Sequence, residues 1–258
     1  MILVDTHTHL YLEQFDADRK DIVESAMQSG VRYMLLPNID SSSLESMNEL
    51  HNQFPEHCLP MMGLHPTSVG ENYQEELELV EKELQTGNYI AVGEIGMDLY
   101  WDKTFLEQQE DALRRQLKLA KAHKLPVSIH TRDAFDQIYR IVKDELTEDL
   151  CGIFHCFTGT DEEAVRVIDL GFKLGIGGVI TFKNSSLGEV IRNISLEHLV
   201  LETDAPFLTP VPYRGKRNQS SYLTYIAEKI ATLKNLDTKE VAEVTTNNAA
   251  LIYNLKIN

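Results

Sequence analysis

The 258-residue chain carries 40 acidic and 24 basic side chains, so its formal net charge is −16, and 43% of its residues are hydrophobic. This composition is that of an ordinary soluble globular protein. The charge disfavours a protein that coats nucleic acid through a broad basic face, but not an enzyme that grips one strand end with a few local cations. No apolar run approaches the about 20 residues that span a bilayer, and the start, MILVDTHTHL, lacks the basic region of a signal peptide.

Cysteine usage favours a reducing, cytoplasmic location. Cys58, Cys151 and Cys156 are odd in number and form no C-x-x-C pair, so structural disulfides are not expected. Cys156 directly follows His155. On a strand it would face away from that histidine, so it is interpreted as a buried packing thiol, not as a ligand. We expect a monomer without membrane association.

Short apolar runs alternate with longer amphipathic stretches, and no linker or compositional break divides the chain. Strands are predicted near residues 2–7, 32–37, 59–64, 89–94, 126–130, 151–155, 172–177 and 199–203. Such alternation is typical of parallel βα units. We therefore predict one α/β domain over residues 1–258, a (β/α)₈ TIM barrel in a regular or a distorted form. An open doubly wound sheet is the alternative, but no G-x-G-x-x-G or Walker loop follows any strand.

Helices are expected between these strands. The first should end just before Gly30, which suits the position after a helix C-cap. Asp161 is predicted to cap the helix that follows the sixth strand. Asp237 with Glu240 resembles a capping box before the last helix.

The first predicted strand leads into His7-x-His9. Residues two apart in a strand point to the same face, so the two imidazoles project together. They can bind one cation if further ligands arrive from elsewhere in the fold. Surface strands carry such pairs by chance, so the remaining strand ends decide between a metal site and an ordinary strand.

Chemistry in a TIM barrel lies at the carboxyl ends of the strands. Six of the eight predicted ends carry a histidine or an acid: His7 and His9, His65, Glu94, His130, His155, and Glu202 with Asp204. For any one of them a satisfied core residue is the simpler interpretation. Convergence of so many on one rim is much harder to attribute to chance.

The candidate ligands divide between two ions. Four imidazoles and two carboxylates exceed what one tetrahedral ion needs, and they suit two ions about 3.5–4 Å apart that share one carboxylate. Glu94 is the expected bridge and Asp204 the expected proton acceptor, while Asp5 and Glu202 are candidates for supporting the ligands. The mixed nitrogen and oxygen set suits Zn²⁺, Mn²⁺, Fe²⁺ or Co²⁺ better than Mg²⁺. The predicted ligands are His7, His9, Glu94, His130, His155 and Asp204.

Six segments together resemble one protein family. They are His7-x-His9, GEIGMD, IHTRDA, HCFTG, LETDAPFLTP and RGKRN, in this order and spanning nearly the whole chain. This set resembles the TatD family of metal-dependent deoxyribonucleases, within the wider group of amidohydrolase-like barrels. The resemblance implies a distorted TIM barrel, a divalent-metal site and hydrolysis of DNA phosphodiesters, notably 3′→5′ exonuclease action on single strands. The family's metal positions carry over to the six ligands predicted above.

The chain departs from the family pattern in two loops. Leu99 stands where family members often carry an aromatic residue, and RNQSS lacks the acid-proline that commonly follows the Arg-Asn pair. Neither departure touches a predicted ligand. Both put substrate preference in doubt.

Several residues are candidates for substrate binding. His65 can orient a phosphate or simply close a turn before the proline that follows it. Arg132 can bind phosphate or form an ion pair with Asp133 or Asp136. Each of these residues has two readings that the sequence leaves open.

The densest basic cluster of this acidic chain is formed by Arg214, Lys216 and Arg217, just after the eighth strand. It can contact phosphates or form a solvated loop. Tyr100 and Trp101 can stack a nucleobase or pack on the barrel rim.

Two other functions compete with a deoxyribonuclease. An amidohydrolase-type enzyme would cleave a carboxamide, a lactone or an aminoacyl ester, but many such barrels bridge their metals with a carbamylated lysine where this chain offers Glu94. A non-catalytic nucleic-acid-binding or regulatory protein is disfavoured by the ligand set and by the charge of −16. DNA ends, not broad duplex surfaces, are the expected partner.

Overall fold

The computed structural model describes residues 1–100 and 102–257. The strands are β1 Leu3–Asp5, β2 Val31–Pro37, β3 Cys58–Met61, β4 Val92–Asp98, β5 Val127–Arg132, β6 Gly152–Phe154, β7 Lys173–Ile176 and β8 Leu199–Leu201. The helices are α1 Arg19–Gln28, α2 Leu44–Gln53, α3 Tyr73–Leu84, α4 Leu106–His123, α5 Phe135–Glu145, α6 Asp161–Asp169, α7 Leu187–Asn193, α8 Leu223–Lys234 and α9 Thr238–Tyr253. None of the helices in the described ranges is long and apolar enough to cross a bilayer.

The paired strands run parallel and close into a ring. One sheet has the order β1-β2-β3, and the other has the order β4-β5-β6-β7-β8. A bridge between Met62 and Val92 joins β3 to β4. The Thr6 amide donates a hydrogen bond of 3.0 Å to the Leu201 carbonyl, which joins β1 to β8. The predicted TIM barrel is therefore confirmed, with its irregularity at these two seams, and the open sheet is excluded.

Strand β4 lies further along the chain than predicted. Residues 89–94 were expected to form it, but the ladder with β5 begins at Val92 opposite Val127 and ends at Asp98 opposite Arg132. Glycines at two positions of this segment weaken the strand signal in the sequence, because glycine is disfavoured in strands. Glu94 therefore lies near the start of β4, deep in the barrel.

The N-cap predicted for α6 is wrong by one residue. The Thr160 side chain accepts a hydrogen bond from the Glu163 amide at 3.2 Å, and the Glu163 carboxylate accepts one from the Thr160 amide at 2.7 Å. This reciprocal pair is a capping box, and it places Asp161 inside the first turn.

Two other helix ends follow the sequence more closely. Gly30 follows α1 with φ of +92°, as the position after a C-cap requires. Asp237 caps α9, but its carboxylate accepts from the Lys239 amide at 2.7 Å and not from that of Glu240.

Buried side chains divide into apolar and polar regions. A large apolar cluster includes Ile138, Ile141 and Val142 of α5, and a smaller one packs strand side chains around Ala249 and Tyr253 of α9. Many of the buried polar side chains lie in strands or directly after them: Asp5, Thr6, His7, Thr8, His9, Asn38, Glu94, Asp98, Ser128, His155, Glu202 and Thr203. The fold thus concentrates buried polarity inside the barrel and at the carboxyl ends of its strands.

A substitution of Gly96 in β4 tests how closely the backbones of β4 and β5 approach each other. Its φ is +147°, and a Cβ there would lie 2.0 Å from the His130 carbonyl oxygen. We expect Gly96→Ala to lower the free energy of unfolding by about 3 kcal/mol, because the paired backbones must move apart. Urea denaturation measures this loss.

Gly87→Ala is the matched control. Gly87 has φ of +75°, but nothing lies within 4 Å of an added Cβ. Its cost should be limited to the left-handed conformation, about 1 kcal/mol. Equal losses in the two variants would contradict the close approach at Gly96.

Candidate metal centre

Glu94 stands at the middle of the polar cluster, with only 3% of its side chain exposed. Its Oε2 lies 3.0 Å from His7 Nε2 and 3.4 Å from His9 Nε2. Its Oε1 lies 2.8 Å from His130 Nδ1 and 3.1 Å from His155 Nε2. The two oxygens of one carboxylate therefore face two different pairs of histidines.

Asp204 approaches this cluster from the loop that follows β8. Its Oδ1 lies 3.7 Å from His9 Nε2 and 4.0 Å from His7 Nε2. Its amide donates a hydrogen bond of 2.9 Å to the His7 carbonyl, which ties the two loops together. All six residues predicted as ligands thus lie side by side, with Asp204 beside the His7–His9 pair.

A tyrosine sets the proton position on His9. The Tyr11 hydroxyl donates to the Pro37 carbonyl at 2.5 Å and lies 2.9 Å from His9 Nδ1. Because its only proton is used on Pro37, the hydroxyl accepts from His9 Nδ1–H. His9 Nε2 is then left with a lone pair directed towards Glu94, as a metal ligand requires.

The other three histidines are held in the same way, each by the ring nitrogen that faces away from Glu94. The contacts are His7 Nδ1 to Ser128 Oγ at 3.1 Å, His130 Nε2 to Asp98 Oδ2 at 3.1 Å, and His155 Nδ1 to Glu202 Oε1 at 3.3 Å. The contact to Glu202 is within ion-pair distance, but His155 Nδ1 makes no regular hydrogen bond there. Since carboxylates only accept, the inner nitrogens of His130 and His155 are free to bind a cation.

Sequence reasoning missed three of these supporting residues. Tyr11 continues the alternation of His7 and His9 along the chain, and Ser128 stands two residues before His130 in β5. Asp98 stands four residues after Glu94, on the same face of β4. The period of two that pointed to the histidines was therefore the signal that could have found their partners.

Asp5 has a different role from the one considered for it. Its carboxylate accepts hydrogen bonds from the Thr203 amide at 2.9 Å and from the Thr203 hydroxyl at 2.6 Å. Burial raises the pKa of Asp5 to about 7. Asp5 therefore holds the end of β8 to β1 and orients Asp204 through the backbone, while Glu202 does support His155.

His65 is a hydrogen-bond donor to the site. Its Nδ1 accepts from the Thr67 amide at 3.1 Å, so the proton of the neutral ring is on Nε2. That Nε2 lies 3.3 Å from Glu94 Oε1. Burial lowers the pKa of His65, which favours this neutral form. Although His65, Glu94 and His130 lie close enough to hold an ion, the tautomer argues against a ligand role for His65.

The buried charges of the cluster shift its proton equilibria in opposite directions. Burial lowers the pKa of His7 well below its usual value, and the neighbouring His155 adds to this. Burial would raise the pKa of Glu94, but His65, His7 and His155 outweigh it and hold the pKa well below its usual value. Burial raises the pKa of Asp204 to about 6. An ionised Glu94 thus attracts positive charge, whether as protons on imidazoles or as a cation in their place.

Arg132 stacks on an aromatic ring at the rim. Its guanidinium carbon lies 3.9 Å from the centre of the Tyr100 ring. Asp136, one of its predicted acidic partners, accepts from Arg166 at 2.9 Å. Trp101, a candidate for base stacking, lies outside the described residues.

The basic cluster after β8 separates into two parts. Both terminal nitrogens of Arg217 bond the carboxylate of Asp18, at 2.9 and 2.6 Å, so a phosphate would compete with Asp18 for this residue. Arg214 and Lys216 are exposed, and the Arg214 guanidinium lies 3.7 Å from the centre of the Phe182 ring. Substrate binding by the cluster stays a prediction, and Arg214 with Lys216 are its accessible members.

Cys156, which was expected to be a buried packing thiol, is only half-buried. Strand β6 ends at Phe154, and Cys156 has φ of +48°. Its amide donates to Glu202 Oε1 at 2.5 Å, so its backbone fixes a residue that supports His155.

Comparison with known proteins identifies the family. Residues 4–254 match the family model described as TatD related DNase. The chain belongs to the TatD family. It is 37% identical over 255 residues to YabD of Bacillus subtilis, an uncharacterized metal-dependent hydrolase, over 98% of this chain and 100% of YabD. It is 31% identical over 259 residues to YcfH of Escherichia coli, described in the same words, over 99% of this chain and 97% of YcfH.

A solved structure of the family has the same fold. The crystal structure of YjjV, a TatD homologue from Escherichia coli, superposes with a TM-score of 0.92 at 30% identity, over 98% of each chain. The protein described here is accordingly a metal-dependent hydrolase of the TatD family.

The donor set of this TatD-family protein fits a divalent cation. Inner imidazole nitrogens face carboxylate oxygens across 2.8 to 3.4 Å, and their outer nitrogens are engaged elsewhere. Such a mixed set suits Zn²⁺, Mn²⁺, Fe²⁺ or Co²⁺, and suits Mg²⁺ less well. The chain therefore offers atoms that could hold a cation, together with groups that orient them.

His130 and His65 should differ in their effect on metal binding. We expect His130→Ala to weaken metal affinity by at least about 10-fold, because it removes a ligand atom. His65→Ala should leave metal content unchanged and lower turnover, because it removes only an N–H donor. Metal analysis after dialysis measures metal content and an activity assay measures turnover, with His123→Ala on α4 as the control for both. Equal metal loss in both site variants would make His65 a ligand.

Proposed function

We propose that this protein is a 3′→5′ exodeoxyribonuclease that hydrolyses phosphodiesters at the ends of single-stranded DNA with two divalent cations. One observation carries the proposal: a single buried carboxylate turns each of its oxygens to a separate pair of imidazoles. A shared carboxylate between two ligand sets is the arrangement by which two cations clamp a phosphodiester. The description of the family as DNases supports the choice of substrate.

The six clustered residues would hold the two cations around Glu94. His7, His9 and Asp204 would bind one, and His130 and His155 the other. Bound cations would stabilise charge on the phosphate oxygens and promote deprotonation of a water molecule. Ser128, Tyr11, Asp98 and Glu202 keep the imidazoles in the orientation that this binding needs.

Asp204 is the residue best suited to take a proton from the attacking water. Its side chain is 15% exposed, against 3% for Glu94, so it borders the opening through which water enters. The water oxygen bonds to phosphorus, Asp204 takes the water proton, and the P–O3′ bond breaks. The leaving O3′ takes a proton from solvent. His65 Nε2–H, directed into the site, can donate a hydrogen bond to a phosphate oxygen during this step.

The charge distribution explains how so acidic a chain holds DNA. With a net charge of −16, it must bind a polyanion through local cations. Arg214 and Lys216 are exposed on the loop that also carries Asp204. They would grip the phosphates beyond the one being cleaved.

End-labelled DNA tests the activity and its direction. A 3′-labelled single strand should release labelled mononucleotide at once, while a 5′-labelled strand should give a ladder of shortening products. Both should stop with chelator and resume with one of the candidate metals. Release of 5′ label as mononucleotide would reverse the polarity, and failure with every metal would refute the nuclease assignment.

Glu94→Gln is the matched variant for this assay. It keeps the size of the side chain but removes the charge that both ligand sets face. Turnover should fall by more than about 100-fold, because even a group that only orients a ligand is worth about 10–100-fold. Full activity in this variant would contradict the shared-carboxylate arrangement.

The salt dependence of DNA affinity should arise from a small number of basic residues. We expect Arg214→Ala with Lys216→Ala to reduce the slope of log affinity against log salt by about one to two units, since each lost phosphate contact is worth about 0.7 units on single strands. Hydrolysis of a small activated phosphodiester should not change. Lys239→Ala, on α9, is a control for loss of a surface cation. An unchanged slope in the double variant would mean that the DNA is held elsewhere.

A further inference from the structure

Two aromatic side chains of the described residues are largely exposed: Tyr100, at 53%, and Phe207, at 48%. Single exposed apolar residues are common on protein surfaces. These two, however, both lie on loops at the carboxyl edge of the barrel, after β4 and β8. Phe207 is next to a predicted ligand, since its ring centre lies 6.3 Å from that of His9.

The loop holds Phe207 in a fixed position. Its amide donates to the Asp204 carbonyl at 2.8 Å, and its carbonyl accepts from Asn218 Nδ2 at 2.6 Å. Asn218 is fully buried, and its Nδ2 also donates to the Thr203 carbonyl at 2.8 Å. The Phe207 ring is therefore positioned by the same hydrogen-bonded loop backbone that positions Asp204.

The orientation of the ring leaves aromatic surface uncovered. Phe207 and His9 meet edge to face, with 67° between their planes. In this arrangement His9 can cover at most one face of the Phe207 ring. A ring that gains little from burial, and that stands beside the catalytic groups, offers a stacking surface for a planar group of the substrate.

The same loop supplies the charges that such a surface needs. Arg214 and Lys216 follow Phe207 within ten residues and are exposed. Aromatic side chains that stack bases, next to cations that follow the backbone, are typical of sites for single-stranded nucleic acid. A nucleobase is therefore the planar group that best fits a site formed by an exposed aromatic ring and nearby cations.

We propose that Phe207 stacks on the base of the 3′-terminal nucleotide whose phosphodiester is cleaved. This inference rests on the proposed exonuclease activity and assigns its nucleobase-binding residue. A base can reach the ring only after it has left its neighbours in a helix. Phe207 therefore makes the enzyme select terminal nucleotides that are unpaired and carry an intact base.

Single strands that differ only at the 3′-terminal nucleotide, with or without its base, test the proposal. The wild-type protein should prefer the intact end by about tenfold in kcat/KM. Phe207→Leu, which keeps an apolar side chain but removes the aromatic face, should abolish this preference by slowing cleavage of the intact end. Phe207→Trp should keep it. Leu251→Ala, which removes an 81% exposed apolar side chain on α9, should change nothing.

Binding without turnover gives a second measurement. In metal-free protein, a strand with a 3′-terminal 2-aminopurine should lose fluorescence on binding, because stacking quenches this base. Phe207→Leu should restore the fluorescence of the bound strand.

The outcomes separate the two proposals. DNA cleavage by the wild type with no preference for an intact base, or with a preference that Phe207→Leu keeps, overturns the stacking role alone. Failure of the wild type to cleave any strand overturns the nuclease assignment and the stacking role with it.

Discussion

The negative charge of Glu94 is the constraint around which the site is built. A carboxylate buried to this degree is costly unless positive charge and hydrogen bonds compensate it. The barrel meets this requirement from several strands at once, with His7 and His9 following β1, His130 in β5 and His155 following β6. Because one oxygen of Glu94 faces His7 and His9 and the other faces His130 and His155, the residue that most needs compensation is also the one that would join two cations in the proposed function.

The side chains around the histidines fix the position of the proton on each imidazole. Neutral imidazoles have two possible proton positions, and the ligand position must be the unprotonated one. Tyr11, Asp98 and Glu202 accept or face the outer nitrogen and so select the inner one for the cation. His65 has the reverse arrangement, since the Thr67 amide donates to its outer nitrogen, Nδ1, and this leaves the N–H on the inner nitrogen, towards Glu94. The partner of the outer ring nitrogen thus decides the role of each of the five histidines: four are candidate ligands, and His65 is a hydrogen-bond donor.

The candidate metal ligands and the residues proposed to bind substrate lie at different depths in the barrel. Most of the candidate ligands are buried in the barrel, whereas Phe207, Arg214 and Lys216 are exposed on its rim. The loop after β8 connects the two levels, because it carries Asp204 at its start and Phe207, Arg214 and Lys216 further on. Asp5 and Asn218 tie this loop down from two sides. In the proposed function, a movement of the loop would therefore change proton transfer by Asp204 and the binding of DNA together.

The sequence by itself determined the barrel and the meeting of five of the six candidate ligands, because side chains in and after the last residues of parallel strands come together at one edge whatever the details of packing. The sixth, Glu94, joins them from a position near the start of β4. It misplaced β4, whose start depends on hydrogen bonds to β5 and not on local propensity. Only the tertiary structure decided the partners of Asp5, which bonds Thr203, and of Arg217, which bonds Asp18. These pairs are 198 and 199 residues apart in the chain. A period of two shows which side chains share a face of one strand, but the choice of partner across the barrel depends on how its two ends close.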